Sequence, residues 1–339
     1  MKGYHVAILG ATGLVGQEFI KILEQRNFPM ASIRLLASDR SAGRRLPVNG
    51  REIEVEEATP ESFQGADIAL FSAGADISRH FSPIAAQQGV VVIDNSAAFR
   101  MDKTVPLVVP EINPEDIKWH KGIIANPNCS TIQMVVALYP LHRVNPIRRI
   151  IVSTYQSVAG TGTAAVEELR TQARQVLEGQ PTLPHVYPHQ IAFNLLPEID
   201  VFLDNGYTRE EWKMLEETRK IMHADDIAVS ATCVRVPVFL SHSEAVHVEF
   251  SEPMPLDEAQ RILAQAPGVK VLDDTSISLY PQPWAAAGSD HVFVGRLRLD
   301  ASHPNGLAMW VVSDNIRKGA ALNAIQIAEE MIKRDWVKP

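Results

Sequence analysis

The segment GIIANPNCSTIQMV, residues 122–135, holds one of the chain's two cysteines in a position suited to chemistry. Cys129 follows a Pro-Asn turn and stands where a helix is predicted to begin, with Asn126 or Asn128 as its N-cap. Amides pointing outward and the positive end of the helix dipole favour a thiolate, which is a strong nucleophile toward a carbonyl. A lone cysteine is about as often a small buried residue, so position alone leaves both interpretations open.

A glycine-rich loop near the N-terminus predicts a nucleotide site. Gly10, Gly13 and Gly16 in GATGLVG stand after a strand-like segment and before a helical one. Glycines let the backbone approach a pyrophosphate, and the helix N-terminus supplies N–H groups and partial positive charge. We favour dinucleotide binding over a glycine-rich turn that holds no ligand.

The end of the second predicted strand bears on which dinucleotide is bound. Ser38 ends that strand, and Arg40, Arg44 and Arg45 follow closely. Hydroxyl and guanidinium groups suit the 2′-phosphate of NADP. Asp39 favours NAD instead, because an acidic residue there binds the ribose 2′-OH. NADP is the better match.

The elements that must position these groups form two domains. Up to residue 128, nearly all-apolar strands alternate with helices, which is typical of a parallel Rossmann-like sheet covered on both faces. Its strands are predicted at 4–9, 32–38, 66–74 and 89–96, with a helix at 78–88. Beyond the cysteine, alternating segments predict an α+β domain of antiparallel strands. These segments lie at 148–160, 227–238, 245–252, 291–300 and 307–315.

The predicted boundaries assign residues 1–128 to an NADP-binding domain and 129–315 to a catalytic and dimerisation domain. The amphipathic helix within 316–339 is expected to pack back onto the first domain. The segment 160–197 is helix followed by a Pro-rich loop, and it is either a dimerisation insert or plain surface.

Composition excludes several classes of protein. The 339 residues are 46% hydrophobic, with a net charge of −8 and no basic stripe, so nucleic-acid binding is not expected. The apolar runs have strand length, and no signal-peptide pattern is visible, so we expect no membrane span. Two cysteines fit a reducing cytoplasm. No metal site is expected, since Pro188 interrupts the histidine pair of HVYPH.

Five motifs in order resemble those of the aspartate-β-semialdehyde dehydrogenase family over almost the whole chain. They are GATGLVG, NPNCST, YQSVAGTG, EEWK and RVPVFLSHSE. The resemblance implies an NADP enzyme that interconverts aspartyl-β-phosphate with aspartate semialdehyde plus phosphate, in lysine, diaminopimelate, methionine, threonine and isoleucine biosynthesis. It implies Cys129 as the nucleophile that forms a thioester, His242 as the acid–base group and Gln156 as the residue that orients the reacting carbonyl.

The resemblance also assigns the binding residues. Arg235 is expected to clamp the substrate carboxylate and Glu210 to meet its ammonium, although the adjacent Glu211 is an alternative. For phosphate it implies the pair Arg100 and Lys213, with Asn128 as a neighbouring donor. The cofactor contacts expected from the loop and the resemblance together are Gly10, Thr12, Gly13, Leu14, Val15, Gly16, Ser38, Arg40, Ser41, Gly74, Ser157, Gly160 and Asn315.

Two residues stand apart from this pattern. Ser241 precedes His242 where members of the family often have glycine, which changes the local turn and not the chemistry of the histidine. Cys233 lies in a strand pattern and is interpreted as packing.

Three other functions compete with this one. N-acetyl-γ-glutamyl-phosphate reductase shares the domain plan and the thioester, but its acylated substrate has no free ammonium for Glu210 to bind. Glyceraldehyde-phosphate dehydrogenase has a different cysteine neighbourhood. A non-catalytic NADP-binding protein, such as a redox sensor or scaffold, has no reason to keep Cys129, Gln156, Arg235 and His242 together. A homodimer is expected from the resemblance, with 160–200 as a candidate contact.

Overall fold

The computed structural model describes residues 3–337, which divide into two compact units. The first unit comprises the chain up to Asn128 and again from Ala320, and the second comprises Cys129–Gly319. Among the described residues, no helix has both the length and the apolar character needed to cross a bilayer.

The first unit is built on a sheet that has seven strands within residues 3–337, in the order β3-β4-β2-β1-β5-β6-β7. Its strands are β1 (Tyr4–Leu9), β2 (Met30–Ala37), β3 (Arg45–Val48), β4 (Arg51–Glu57), β5 (Ile68–Phe71), β6 (Val91–Asp94) and β7 (Ile123–Ala125). The helices α1 (Leu14–Gln25) and α2 (Ala75–Gln87) connect β1 to β2 and β5 to β6. All neighbouring strands except β3 and β4 run parallel, so the predicted Rossmann-like fold class is confirmed.

Both faces of this sheet are covered. Successive side chains of a strand point to opposite sides, so each strand contributes to the buried cluster on either face. Val6 and Ile8 of β1 join one buried cluster, and Ala7 and Leu9 join another. The first cluster includes residues of α1, and the second includes Phe81 of α2. This arrangement holds the carboxyl end of β1 and the start of α1 in a fixed relation.

The hairpin of β3 and β4 was absent from the sequence-based expectations. Its turn is Asn49-Gly50, with positive φ at both residues. That dipeptide is the strongest short hairpin signal, because a type I′ turn needs positive φ twice. The hairpin adds an antiparallel edge to the parallel sheet.

The second unit is a mixed sheet, six-stranded in the described part of the chain, with the order β11-β12-β13-β10-β8-β9. Its strands are β8 (Ile147–Gln156), β9 (Ala228–Arg235), β10 (His242–Phe250), β11 (Val269–Val271), β12 (Val292–Leu299) and β13 (Gly306–Ser313). Its helices are α3 (Cys129–His142), α4 (Thr163–Leu177), α5 (Arg209–Met222), α6 (Leu256–Gln265) and α7 (Pro283–Ala286).

The expectation of antiparallel strands in the second unit was wrong for β8 and β9, and a second parallel pair includes β11, a strand that the sequence did not predict. β9 runs parallel to β8, and β11 runs parallel to β12. The chain between β8 and β9 passes through α4 and α5, and a crossover containing helices is what parallel neighbours require.

The last helix, α8 (Leu322–Lys333), belongs to the first unit. Ile325 and Met331 are buried in the same cluster as Phe19 of α1. Arg26 and Glu329 add a two-pronged ion pair, with both N···O distances at 2.7 Å. The first unit is therefore assembled from two separate stretches of sequence.

Candidate active site and cofactor-binding turn

The strand order of the second unit brings four polar residues to one edge of its sheet. β8 ends at Gln156 and β9, parallel to it, ends at Arg235, and these two residues are register partners. β10 runs the opposite way and begins at His242, which pairs with Ser313 at the end of β13. Three residues expected from distant motifs thus lie at one edge because of how the strands pair.

His242 is fully buried and holds one defined tautomer. Its Nδ1 accepts a hydrogen bond from the Ser157 backbone N–H at 3.0 Å, which leaves the ring proton on Nε2. Burial, and then the charge of Arg235, lower the pKa of His242 from 6.5 to about 3, so the ring is neutral at pH 7. Nε2 has no hydrogen-bond partner among residues 3–337.

Ser157 organises the groups around it. Its hydroxyl donates to Asn315 Oδ1 at 3.0 Å, and its carbonyl accepts from Arg235 Nη1 at 2.7 Å. The backbone N–H of Ser241 reaches the same Asn315 oxygen at 2.9 Å. Ser157 and Asn315 were expected as cofactor contacts, and in the second unit they support His242 and Arg235.

Gly160 leaves a space beside these groups. A Cβ at this position would lie 3.3 Å from Arg235 Nη1 and 3.4 Å from His242 Nε2. Any side chain at residue 160 would occupy the volume in front of both groups. The glycine therefore keeps open a place where a substrate can meet them.

Arg235 is buried, with 6% of its surface exposed. While Nη1 is bonded to Ser157, Nε has no hydrogen-bond partner from any residue the structure describes. A buried donor left without a partner costs free energy, and a carboxylate ligand removes that cost. Arg235 is thus poised to bind an anion.

The structure separates the roles of the two adjacent glutamates. Glu210 Oε1 accepts from Gln156 Nε2 at 3.1 Å, and its Oε2 accepts from Lys213 Nζ at 3.1 Å. Glu211 caps α5 by accepting from the Thr208 N–H at 2.7 Å, and its other oxygen accepts from the Cys233 N–H at 2.9 Å. Only Glu210 of the two contacts a predicted site residue among residues 3–337.

Gln156 and Lys213 have further partners that fix them. Thr154 Oγ1 donates to Gln156 Oε1 at 2.9 Å, which orients the amide with its NH₂ group toward Glu210. Lys213 also pairs with Asp200 at 2.8 Å. Lys213 is therefore held by two carboxylates on one side of the Gln156–Glu210 contact.

Cys129 is the first residue of α3, as the sequence predicts, and is partly buried. Gly319 lies close by, since a Cβ there would come within 2.9 Å of the Cys129 Cβ. Cys233 is fully buried, its Sγ is 3.8 Å from Met214 Sδ, and burial raises its pKa well above the usual range. Within residues 3–337, neither cysteine is in a disulfide.

Ser241 has a backbone conformation that explains why members of the family often have glycine at this position. Its φ is +72°, in the left-handed region that glycine enters at no steric cost. Its buried hydroxyl has no hydrogen-bond partner in the described part of the chain. The residue before His242 is thus constrained by backbone geometry and not by its side chain.

The glycine loop of the first unit is sterically determined at two of its three positions. A Cβ at Gly10 would lie 2.3 Å from the Ser72 carbonyl oxygen, and one at Gly16 would lie 2.2 Å from the Gly10 carbonyl oxygen. A Cβ at Gly13 would lie 3.4 Å from the Gly10 carbonyl oxygen. The turn therefore requires glycine at residues 10 and 16, whereas residue 13 has room for a methyl group in ordinary contact with the Gly10 carbonyl.

The first turn of α1 has the features of a phosphate cradle. Gly13 is the N-cap, and no side chain among residues 3–337 caps the N–H groups that follow it, which include those of Leu14 and Val15. Gly74, with φ +86°, is likewise the N-cap of α2 and has no side-chain cap within the described residues. Such N–H groups bind anions readily, so the residues present fit a dinucleotide.

The expected 2′-phosphate residues lie together on the surface of the first unit. Ser38 precedes a short 3₁₀ turn, Asp39–Ser41, and Ser38 and Arg40 are exposed. Thr12 Oγ1 of the glycine loop is 3.5 Å from Ser41 Oγ, which links the two segments. The Asp39 carboxylate accepts from the Arg40 N–H at 2.7 Å.

The remaining predicted residues of the first unit lie near the end of β7. Arg100 is buried and donates to the carbonyls of Asn126 and Asn95, at 3.0 and 2.8 Å. The Asn126 side chain is bonded to Asn95 and Asn323, both in the first unit. Asn128, also buried, directly precedes Cys129. Arg100 and Lys213 belong to different units.

The segment after α4 is not plain surface. Ile191, Ala192 and Leu196 are buried in a cluster with Leu169 of α4. Tyr187 lies with its ring centroid 5.8 Å from the Arg235 guanidinium carbon. Tyr187 is not among the residues predicted from sequence, because HVYPHQ carries no motif that reveals this contact.

Family models match both parts of the chain. The model described as "Semialdehyde dehydrogenase, NAD binding domain" covers residues 5–120, and "Semialdehyde dehydrogenase, dimerisation domain" covers 138–318. A curated aspartate-semialdehyde dehydrogenase from Aquifex aeolicus is 56% identical over 99% of this chain and 100% of its own length.

Solved structures agree with that match. The crystal structure of aspartate semialdehyde dehydrogenase II complexed with ASA, from Vibrio cholerae, has a TM-score of 0.96 at 48% identity and covers 98% of this chain and 99% of that one. The crystal structure of aspartate semialdehyde dehydrogenase with NADP, from Candida albicans, has a TM-score of 0.79 at 28% identity with the same coverage. These matches show that the chain belongs to the aspartate-semialdehyde dehydrogenase family.

Proposed function

We propose that this chain catalyses the reversible, NADP-linked conversion of aspartyl-4-phosphate to aspartate 4-semialdehyde and phosphate, with Cys129 as the nucleophile. Its relatives are named aspartate-semialdehyde dehydrogenase, and that name supports aspartate semialdehyde as the substrate. The observation that carries the chemistry is that Arg235 and His242 both lie beside Gly160, and that each has a buried N–H donor, Arg235 Nε and His242 Nε2, with no partner within residues 3–337.

Cys129 starts the reductive direction. Its thiolate attacks the acyl carbon, the C–O bond to the phosphate breaks, and inorganic phosphate leaves with the bonding electrons, so that a thioester remains. When bound, NADPH supplies the hydride that a thioester, unlike a carboxylate, accepts. The tetrahedral thiohemiacetal then breaks its C–S bond, which releases the aldehyde and restores the Cys129 thiolate.

His242 serves the oxygen of the reacting carbonyl. Because Nδ1 is occupied by the Ser157 N–H, only Nε2–H is available, and it donates to the oxygen on which negative charge develops. A donor fixed in a buried site needs no reorganisation when that charge appears. The neutral ring keeps this proton on Nε2, because losing it would leave an imidazolate anion. His242 therefore stabilises the charge on the oxygen by hydrogen bonding while the thiohemiacetal forms and collapses, and does not take the acid–base role that the resemblance implies.

Three side chains bind the amino-acid part of the substrate. The planar guanidinium of Arg235 clamps the α-carboxylate, and Glu210 receives the α-ammonium. Glu211 is less suited to that role, because its hydrogen bonds to the backbone N–H groups of Thr208 and Cys233 tie it to the start of α5 and to β9. Gln156, whose NH₂ group donates to Glu210, orients the reacting carbonyl.

Lys213, Arg100 and Asn128 are proposed to bind phosphate.

NADP is the proposed cofactor, held by the glycine loop and the residues that follow β2. The N–H groups of Leu14 and Val15 at the start of α1 would hold the pyrophosphate. Ser38, Arg40 and Ser41 would bind the 2′-phosphate through hydroxyl and guanidinium donors. The Candida structure with NADP supports this choice.

We propose that the protein is a homodimer and acts in the cytoplasm. The dimerisation-domain match covers residues 138–318. That range contains an exposed apolar patch made of Phe239, Leu240, Tyr280 and Trp284. The side chain of Trp284 is 91% exposed. An exposed patch of this kind is typical of an interaction surface. We propose that it contacts a second copy of the chain, in addition to the 160–200 segment, for which the resemblance implies such a contact.

The N-acetyl-γ-glutamyl-phosphate reductase alternative is not favoured. Glu210 is a buried carboxylate beside Gln156, and a buried carboxylate suits a free ammonium and not an acylated nitrogen. A non-catalytic NADP-binding protein would not need the buried donors of Arg235 and His242.

The test is an assay in the oxidative direction with aspartate semialdehyde, NADP and phosphate, followed by nicotinamide absorbance. We expect phosphate-dependent reduction of NADP that vanishes in Cys129→Ala while NADP binding, measured by calorimetry, is kept. Cys233→Ala is the matched control, since it removes the other, fully buried thiol. Reduction with N-acetylglutamate semialdehyde and none with aspartate semialdehyde would move the chain to the rival reductase. Silence with both aldehydes would refute the proposed activity.

A further inference from the structure

The loop between α4 and α5 is hydrogen-bonded to the backbone of Arg235. Leu196 and Arg235 exchange two main-chain hydrogen bonds, with N···O distances of 3.0 and 2.8 Å. Leu196 is itself buried in the cluster with Ile191 and Leu169. This part of the loop is thus anchored to α4 on one side and to the end of β9 on the other.

The same loop reaches the side chain of Arg235 through Tyr187. The guanidinium carbon lies 5.8 Å from the centroid of the Tyr187 ring, within the range of a cation–π contact. Because Arg235 is only 6% exposed, little water screens this attraction. A desolvated contact of this kind is worth about tenfold in an equilibrium constant.

The ring of Tyr187 is held at its other end as well. Its hydroxyl donates to Thr161 Oγ1 at 3.0 Å, and Thr161 directly follows Gly160, the residue beside Arg235 and His242. Burial raises the pKa of Tyr187, so the hydroxyl stays protonated and remains a donor at neutral pH. Tyr187 therefore connects the Gly160 turn to the guanidinium.

Arg235 needs such support because one hydrogen bond does not fix a guanidinium. The hydrogen bond from Nη1 to the Ser157 carbonyl holds one nitrogen, but by itself it does not fix the orientation of the guanidinium plane. A two-pronged contact with a carboxylate requires that plane to be set. The ring of Tyr187 supplies the second constraint.

We propose that Tyr187 is a positioning residue that orients the Arg235 guanidinium toward the substrate carboxylate, and so makes the enzyme selective for aldehydes that carry an α-carboxylate. The inference rests on the proposed role of Arg235 in carboxylate binding. The test compares two aldehydes that differ in that group alone, aspartate semialdehyde and 3-aminopropanal.

Tyr187→Leu removes the ring, and Tyr187→Phe keeps the ring but loses the bond to Thr161. For Tyr187→Leu we expect kcat/KM with aspartate semialdehyde to fall about tenfold, and kcat/KM with 3-aminopropanal and KM for NADP to stay unchanged. Tyr187→Phe should stay within about threefold of wild type for both aldehydes. The control is Leu183→Ala, an exposed residue of the same loop, which should change neither value.

The comparison can also be made by binding alone. Competitive inhibition by L-2-aminobutyrate and by propylamine, which differ by the carboxylate, gives a selectivity ratio that does not require turnover of a poor substrate. Tyr187→Leu should lower this ratio about tenfold.

Equal losses for ligands with and without the carboxylate, or no loss for either, would overturn the role of Tyr187. An unchanged selectivity ratio in Arg235→Lys would remove the premise that Arg235 binds the carboxylate. If wild type fails to reduce NADP with aspartate semialdehyde and phosphate, the proposed function fails, which is a separate outcome.

Discussion

At the scale of single residues, the structure separates groups that the sequence leaves ambiguous. Glu210 and Glu211 are adjacent, and the family resemblance alone leaves both as candidates for the ammonium site. The sequence does carry a signal that separates them, since Thr208 and Glu211 stand three residues apart, which is the spacing of a capping box. Assigning Glu211 to the cap leaves Glu210 for the site.

The backbone of Ser241 gives a prediction about stability. Ser241→Gly relieves a left-handed conformation, so we expect a gain of about 0.5–1 kcal/mol in the free energy of unfolding and an unchanged kcat. Ser278, an exposed serine with φ +55°, offers a matched control, and Ser278→Gly should gain a similar amount. Urea unfolding measures both, and a loss of stability in Ser241→Gly would contradict the prediction.

Glu244 predicts a pH dependence of stability. It lies two residues along β10 from His242, is fully buried, and burial raises its pKa well above 4.5. Above pH 4.5 the unfolded chain releases this proton while the folded state keeps it, so Glu244 makes the fold less stable as pH rises. Glu244→Gln removes the effect, and its advantage over wild type should grow by up to about 1.4 kcal/mol per pH unit.

Thermal unfolding of wild type and Glu244→Gln at pH 5, 6, 7 and 8 checks this sign. Glu249→Gln serves as the control, because Glu249 lies on the same strand but pairs with Arg149 at 2.9 Å near the surface. Its difference from wild type should not grow with pH in the same way. A constant difference for Glu244→Gln across the series would mean that Glu244 is ionised in the folded protein.

At the scale of elements, the glycine loop yields a prediction that separates folding from binding. Gly16→Ala places a Cβ 2.2 Å from the Gly10 carbonyl oxygen, so we expect a loss of about 1–3 kcal/mol in stability together with weaker NADP binding. Gly13→Ala meets nothing closer than 3.4 Å and should keep the melting temperature of wild type. Calorimetry of unfolding and of NADP binding distinguishes the two variants.

If Gly13→Ala keeps its stability but loses NADP affinity, the open side of that glycine faces the pyrophosphate. Equal stability of Gly16→Ala and wild type would show that the turn can relax around a methyl group, and the steric argument would be wrong.

Elements were predictable where one local signal dominated. The apolar strands β1, β5 and β6 and the glycine turn follow from periodicity and glycine spacing. The direction of β9 was not predictable, because its parallel partner β8 lies more than seventy residues away and the alternating pattern is the same in either direction. The contact of Tyr187 with Arg235 escaped for the same reason, since no local pattern encodes a pairing between distant loops.

At the scale of the whole molecule, the first unit depends on its late segment for a buried polar contact. Asn323 of α8 is fully buried, and its Nδ2 donates to the Val108 carbonyl at 3.0 Å and to Asn126 Oδ1 at 2.7 Å. Asn323→Ala leaves both acceptors without this donor, so we expect a loss of about 1–3 kcal/mol in stability.

Gln326→Ala is the control for that variant. Gln326 lies one turn further along α8 and makes a partly exposed bond of 3.3 Å to Glu111, so its removal should cost less than about 1 kcal/mol. Urea unfolding followed by circular dichroism measures both, and equal losses in the two variants would show that the buried bonds of Asn323 are not special.

The return of the chain at Ala320 has a consequence for biosynthesis on the ribosome. The second unit is complete in sequence at Gly319, before α8 has been translated, whereas the first unit begins earlier and is finished last. During translation, the sheet face that α8 covers together with α1 is therefore only partly covered until α8 emerges from the exit tunnel. A nascent chain that stops short of α8 carries the whole second unit but not a finished first unit, and we expect cellular chaperones and proteases to recognise it by the apolar surface left exposed.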